Sequence, residues 1–252
     1  MATYTLRALV LKKVKLGEMD VIVSFLSDEG KHLRAVAKGM RKPGSRIGGR
    51  LEPYGVVDLL VRTGRTLDTI VEVEAVRTRA AIFAEYERSV TASVVVDVVD
   101  KLSVEGQVEP RIFGLADATL EALEGAPAGK LQIILVGFLV KAMAMHGCRP
   151  IFDRCACCSR PSTHAGVKRF SLSEGGTICP NCKDTAEHSM TASSEACVLL
   201  GELLYKTMAE IAADSDTTSE RVVAEALALM HAFVRHHLSA RLRALDLYRE
   251  IM

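Results

Sequence analysis

Four cysteines in two pairs restrict what this chain can fold into more than any other feature. Cys155 and Cys158 form one C-x2-C pair, Cys179 and Cys182 a second, and twenty residues separate them. Each pair can offer two thiolates from a tight turn, and folding the gap back on itself completes the tetrahedral S4 set that Zn2+ prefers. A catalytic zinc keeps one position open beside a general base, so four thiolates predict a structural ion, one per chain. Cys157 is a competing donor. Pairing it with Cys179 and Cys182 abandons the two-residue spacing, which favours Cys155 and Cys158. His164 and His188 are substitute donors, although a lone loop histidine is more often solvated. Cys148 and Cys197 stand alone at helix-associated positions and read as small buried hydrophobes.

The stretch from 147 to 190 supports the same reading. It has no helical or strand period and collects Cys, Gly, Pro, Ser and Thr, so it cannot bury enough apolar side chain to stand alone, and metal ligation can supply the missing stability. Its Gly166, Phe170, Gly175 and Gly176 suit the short β connections of a zinc ribbon or knuckle. Helical sequence resumes near Ser194, which makes this a module inserted into a helical region. Near the N-terminus, Lys12, Lys13 and Lys15 follow only a handful of apolar residues, which is not the basic-then-apolar order of a secretory signal. The thiols are therefore expected to stay reduced and the protein to be cytoplasmic. The best apolar run, 133–140, is closed off by Gln132 and Lys141, short of the roughly 18 residues that a membrane span needs.

Residues 3–77 read as five short strands, at 5–15, 19–26, 31–38, 56–62 and 67–76, with Gly17, Gly30, Pro43, Gly44 and Gly64 among the breakers between them. In the last, Leu67, Thr69, Val71, Val73 and Ala75 alternate with Asp68, Glu72 and Glu74, so one side is expected to face a core. No helix here is long enough for a parallel crossover. The pattern predicts a small closed barrel of the oligonucleotide-binding (OB) type, with an SH3-like barrel as competitor.

Beyond residue 80 the period turns helical. Leu131, Ile134, Leu135, Phe138, Leu139 and Ala142 recur at three and four residues, as do Leu200, Leu203, Leu204, Met208 and Ile211. A last long helix is expected to open at Thr217, spaced from Glu220 as in a capping box, and to run through Val223, Leu227, Met230, Val234 and Leu238. Val94, Val95 and Val96 cost helix propensity, yet the stripe Val90, Val94, Val98 still favours helix. The expected class is α+β: an N-terminal five-stranded OB-type barrel (1–79), then an all-α domain in two parts (80–147 and 191–252) with the four-cysteine zinc module (148–190) inserted.

A formal net charge of +1 conceals a patch. Between Gly30 and Leu51 lie seven basic residues, Lys31, Arg34, Lys38, Arg41, Lys42, Arg46 and Arg50, and no acidic one; without them the chain has 25 basic against 31 acidic residues. In strand 31–38 the period of two turns Leu33, Ala35 and Ala37 inward and His32, Arg34 and Lys38 outward. The charges continue into a loop whose Pro43, Gly44, Gly48 and Gly49 suggest flexibility. A solvated loop is the plain alternative. Seven like charges on a barrel class that commonly binds oligonucleotides repel unless neutralised, which favours phosphate binding. Seven contacts to a single strand give a slope of log K against log salt of about −5. Tyr4, Phe25 and Tyr54 are too few for stacking platforms, so contact is expected to be electrostatic and weakly sequence-selective.

No Gly-rich phosphate loop, G-x-S-x-G elbow, H-E-x-x-H or dinucleotide fingerprint occurs in the sequence, and a non-enzyme is expected. His236 and His237, among Arg235, Arg241 and Arg243, read as a polar helix face.

Ala37 to Lys42 after the first strand pair, then Ser45 with Arg46, then Leu51, Glu52 and Pro53, followed by a helical body with a four-cysteine knuckle, resemble the bacterial recombination mediator family RecO. The resemblance covers nearly the whole chain. It implies an N-terminal OB domain, a helical domain and a zinc-binding module. It also implies binding of single- and double-stranded DNA, annealing of complementary strands, and contact with the C-terminal tail of single-stranded DNA-binding protein. RecR is the implied partner in loading RecA, at the nucleoid in the cytoplasm and with no membrane. Carried to this sequence, it puts Lys38, Arg41, Lys42 and Arg46 on DNA and Cys155, Cys158, Cys179 and Cys182 on zinc. Arg34 is added from strand facing. Ser159 stands where the family's first knuckle often has Gly, and some relatives lack a complete cysteine set. Two other classes compete: a zinc-containing structural adaptor whose barrel and basic loop bind an acidic protein, and a zinc hydrolase, which needs an open metal site.

Overall fold

A computed structural model describes residues 2–45, 47–103, 108–161, 168–184, 186–214, 218–238 and 240–251. They form two compact units, Met1–Leu120 and Glu121–Met252.

In the first unit, β1 (Thr3–Leu16), β2 (Asp20–Ser27), β3 (His32–Ala37), β4 (Val56–Arg62) and β5 (Asp68–Arg77) close into a barrel of order β1-β2-β3-β5-β4. The expected OB-type barrel is therefore present. The long β1 serves two neighbours: its first half pairs with β4 and its second with β2, and a bulge between Val10 and Lys12 bends it from one to the other. Closure comes from a short parallel contact in which Ala35 faces Asp68 and Val36 faces Thr69. Inside lie Val10, Val23, Phe25, Ala37, Leu51 and Val57, all essentially inaccessible to water.

β5 departs from the simple alternation. Leu60 faces Glu72 while Val61 faces Ile70, so Val71 is an extra residue on β5. The bulge moves the inward set to Ile70 and Val73, leaving Val71 half-buried and Ala75 exposed. A single period of two cannot include both Ile70 and Val73, because the inserted residue lies between them and reverses the facing from one side of the bulge to the other.

The first unit continues through α1 (Ala80–Ala84), α2 (Tyr86–Leu102) and into α3 (Pro110–Gly125). Each valine costs α2 roughly 0.5 kcal/mol of propensity, whereas burying a valine side chain gains about 1.5–3 kcal/mol. Val94, Val95, Val98 and Val99 are fully buried, and burial wins. Asp100 receives Lys12 Nζ at 2.5 Å and His32 Nε2 at 3.0 Å. Burial pushes the Asp100 carboxyl up, but bonds from His32, Lys12 and Lys101 outweigh it and hold the group well below the usual carboxylate range. The buried Arg79 donates to the Tyr54 carbonyl and to Asp117. These ties explain why the unit that holds the barrel extends past residue 79.

The second unit is built on α4 (Leu131–Met145), against which α5 (Ser194–Leu203), α6 (Met208–Ala213) and α7 (Glu220–His237) pack; α8 (Arg243–Ile251) closes the chain. Ala128–Met145 is long and apolar enough to cross a membrane, with a mean hydropathy of 1.6, but 61% of it is buried by the protein itself. It is the core helix of this unit. The run from Leu200 to Ile211 is two helices instead of one, because Thr207 and Glu210 form a capping box that starts α6 afresh. α7 begins at Glu220 behind Ser219; Thr217 lies outside the described residues. α7 ends at His237, so Arg241 lies beyond it and Arg243 opens α8. His237 is no bare polar face, since its Nε2 donates to the Leu172 carbonyl at 2.9 Å.

Between α4 and α5 sits a three-stranded sheet of order β7-β6-β8, from β6 (Lys168–Ser171), β7 (Gly176–Ile178) and β8 (Ser189–Ala192). Phe170 at its centre is fully buried and meets Phe152 and the α7 residue Phe233, each with ring centroids 5.7 Å away.

Gly30 joins β2 to β3 with φ +83°, and a Cβ there would stand 2.3 Å from the Glu109 carbonyl carbon. Gly17, at φ +60° in the β1–β2 turn, has open space around it. Gly17→Ala should therefore cost about 1–2 kcal/mol of left-handed strain. Gly30→Ala should cost more, by about 1–3 kcal/mol for the overlap; urea unfolding of the two variants compares them directly.

Candidate metal centre and nucleic-acid interface

The four cysteine sulfurs come together. Cys155, Cys158, Cys179 and Cys182 have Sγ atoms all within 4.8 Å of one another, with Cys158 and Cys179 at 3.7 Å. A tetrahedron of metal–sulfur bonds of about 2.3 Å has an edge of about 3.8 Å, so the spacing and the donor set both fit one closed-shell ion. Local structure builds each half. The Ser159 N–H returns to the Cys155 carbonyl at 2.9 Å, and the Cys182 N–H to the Cys179 carbonyl at 3.0 Å in the short Pro180–Cys182 turn. The halves are registered by the Ala156 N–H on the Thr177 carbonyl at 2.9 Å, just ahead of the second pair. Gly176 is required there, because a Cβ would lie 2.8 Å from the Ile151 carbonyl oxygen.

The electrostatics suit a cation. Burial opposes ionisation of Cys155, but the N–H groups of Cys179, Cys158 and Cys157 outweigh it and bring the thiol down to about 6. Hydrogen bonds to the sulfurs of Cys179 and Cys158 push Cys182 up to about 12, so the metal-free cluster holds protons among its sulfurs. Cys157 is exposed and lies outside the quartet, and its thiol is pushed up by partial desolvation and by the neighbouring Cys155 charge. Its claim to replace a neighbour therefore falls away. His188 is not in the group either, and His164 and Gly166 lie outside the described residues. Cys197 is buried as expected, while Cys148 is only half-buried, just past the end of α4.

The basic segment is divided by its partners. Arg34 is exposed on β3, across from Ser24, and Lys38, Arg41 and Lys42 are exposed in the loop that follows. None of these four has an acidic side chain bonded to it among the described residues. Arg46 lies outside the described residues. Lys31 is paired with Glu29 at 2.6 Å. Arg50 donates to the Val73 carbonyl at 3.0 Å and lines a groove over β1, β4 and β5 with Asp58, Glu72 and Glu74. The groove also holds Asp28 and Arg7, and Arg7 pairs with Asp58 at 2.8 Å, so it has four carboxylates against two guanidiniums and is net acidic.

The loop is tethered more firmly than its glycines suggest. Met40 and Leu51 are buried in the barrel core and Ile47 packs against it. The Gly39 N–H donates to Asp20 Oδ1 at 2.8 Å, and Arg41 bonds the carbonyls of Met19 (N–H, 3.0 Å) and Glu18 (Nη1, 2.9 Å). Sequence reasoning missed this link between the β1–β2 turn and the basic loop. Its only trace was an Asp placed where a strand begins.

Ser159 adopts φ +59°, which accounts for a Gly being favoured there. Ser159→Gly should stabilise the metal-free protein by up to about 1 kcal/mol without moving the sulfurs, as thermal melting under chelator will show.

Comparison with known proteins divides the chain after the barrel strands, ahead of the boundary between the two compact units at residues 120 and 121. A model for the family "Recombination protein O N terminal" matches residues 1–79, and one for "Recombination protein O C terminal" matches residues 84–246. The "DNA repair protein RecO" of Frankia casuarinae is 36% identical over 250 residues, covering 97% of this chain and 98% of its own. Those of a Nocardioides species and of Cutibacterium acnes are each 34% identical, covering 96% and 98% of this chain and 97% and 99% of their own. A barrel and a four-cysteine helical unit in this order, matched by both family models and by full-length relatives, mean that the chain belongs to the Recombination protein O (RecO) family of DNA repair proteins.

Proposed function

We propose that this chain is a recombination mediator that binds single- and double-stranded DNA through Arg34, Lys38, Arg41, Lys42 and Arg46, and anneals complementary strands. In the cell it helps load RecA onto DNA covered by single-stranded DNA-binding protein, with RecR and the C-terminal tail of that binding protein as partners. One observation supports the DNA reading: Arg34, Lys38, Arg41 and Lys42 are exposed on β3 and in the loop that follows, with no acidic side chain bonded to any of them among the described residues, while the groove over β1, β4 and β5 carries more acidic than basic side chains. Phosphates are drawn to one side and repelled from the other.

The mechanism needs no covalent step. Two complementary strands repel through their phosphates. Arg34 and the tethered loop neutralise part of that charge, so two backbones can approach closely enough for pairing to nucleate. Nothing in this route requires a nucleotide or a nucleophile, and the chain acts as a binding protein in the cytoplasm, at the nucleoid. The barrel (1–79) serves DNA, and the module (148–190) divides a helical body (80–147 and 191–252) that receives partner proteins. In the module, Cys155, Cys158, Cys179 and Cys182 hold one structural Zn2+, which supplies the cross-link that a small sheet around Phe170 lacks.

Lys38→Ala/Arg41→Ala/Lys42→Ala should make the salt slope for a single strand less steep by about 2 and slow annealing of two oligonucleotides without nucleotide. Unchanged annealing and an unchanged slope would overturn the DNA reading and favour the adaptor, whose partner is an acidic protein. For the metal, elemental analysis should find one zinc per chain. Cys179→Ser should lose the ion and lower the melting temperature, while Cys157→Ser retains both.

A further inference from the structure

The β1–β2 hairpin carries apolar surface that the barrel does not use. Val14, Leu16 and Met19 are 47%, 40% and 45% exposed. Alternation puts Val14 and Leu16 on one side of β1. Across the sheet Val14 faces the half-buried Ile22, which faces Val36. This apolar row lies beside cations. The adjoining row on one side is Lys12, Ser24 and Arg34, in which Lys12 is paired with Asp100 and Ser24 is buried, so that Arg34 is its exposed cation without an acidic partner among the described residues. On the other side the turn itself grips the basic loop, through Asp20 on Gly39 and through the Glu18 and Met19 carbonyls on Arg41.

A ligand that fits this surface must present phosphate-like charge and flat apolar faces a short distance apart. A DNA duplex has the charge, but its base faces are stacked inside. An unpaired strand has both. We propose that Val14, Leu16 and Met19 form an aliphatic platform for the faces of unpaired nucleobases; the inference rests on the phosphate-binding reading of the neighbouring cations and adds the part of the strand that they do not touch. Glu18, the exposed carboxylate of the turn, repels phosphate and directs the backbone across the strip toward Lys38. Because the platform covers base faces and not edges, the edges stay open to a complementary strand. The captured strand is then held unstacked and ready to pair.

The test uses the full-length protein and fluorescence anisotropy with three labelled probes of equal length: an oligothymidylate, a duplex, and an abasic strand that keeps the phosphates and lacks the bases. The natural protein should bind the oligothymidylate about tenfold more tightly than the abasic strand. Val14→Ser/Leu16→Ser/Met19→Ser should lose that preference while keeping its duplex affinity and salt slope. These side chains are exposed, and an unchanged melting temperature confirms that the variant is folded. The platform is overturned if the serine variant keeps the preference, or weakens duplex as much as single strand. It is also overturned if the only change is in oligomeric state by light scattering, which assigns the strip to a second copy of the chain. Failure of the underlying reading looks different: Lys38→Ala/Arg41→Ala/Lys42→Ala then binds all three probes as tightly as the natural protein does.

Discussion

The parallel contact between β3 and β5 is small, and the proposed DNA-binding surface depends on it. Ala35 opposite Asp68 and Val36 opposite Thr69 turn a curled sheet into a barrel. Without that contact β3 would be an edge strand, with unpaired backbone groups open to association with another chain. Asp68 is fixed at this seam by the Tyr4 hydroxyl at 2.5 Å and the Gly64 N–H at 3.0 Å. Closure also aims the cations, because Arg34 lies on β3 and the basic loop leaves from its end. The facing of Arg34 itself follows from the β2–β3 ladder, where it lies across from Ser24.

The two units meet the entropy cost of folding differently. The barrel encloses a conventional core around Phe25 and Leu51, and Asp100 and Arg79 bind helices to it within the same unit. The module has one buried aromatic side chain at its centre, Phe170, and leans on Phe233 of α7 for the other half of its core. A sheet of three- and four-residue strands around one such residue is marginal in water. The sulfur quartet lies where the two knuckles meet, so a cross-link there joins the parts of the module farthest apart in sequence.

Much of this was legible in the sequence where the signal is short-ranged. The C-x2-C spacing carries its own geometry, and the left-handed backbone at Ser159 explains why that position drew attention as a non-glycine. The helix over the valines of α2 was readable because a three-to-four period survives poor propensity. What was hidden depends on inserted residues or on distant partners. The bulge at Val71 cannot be seen without knowing what β4 pairs with. The break before Thr207 was masked by an apolar spacing that runs through it, although Thr207 and Glu210 have the capping-box spacing. Of seven cations, the sequence could not tell that Lys31 is neutralised by Glu29 or that Arg50 turns to the Val73 carbonyl among carboxylates. The first is a local pairing across the β2–β3 turn, and the second joins residues 23 apart that only the folded barrel brings together.

The bonds from Asp20, Met19 and Glu18 to Gly39 and Arg41 make the hairpin tip and the basic loop one mechanical piece. Neither can be displaced without breaking backbone hydrogen bonds that the other supplies. The interval between oily and charged features is thus set in advance, like the pitch of a comb. If it binds a strand as proposed, such a surface is indifferent to the order of letters along a polymer but sensitive to its repeat distance. A sulfated polysaccharide, which has charge but no planar rings at that interval, would engage only half of the teeth.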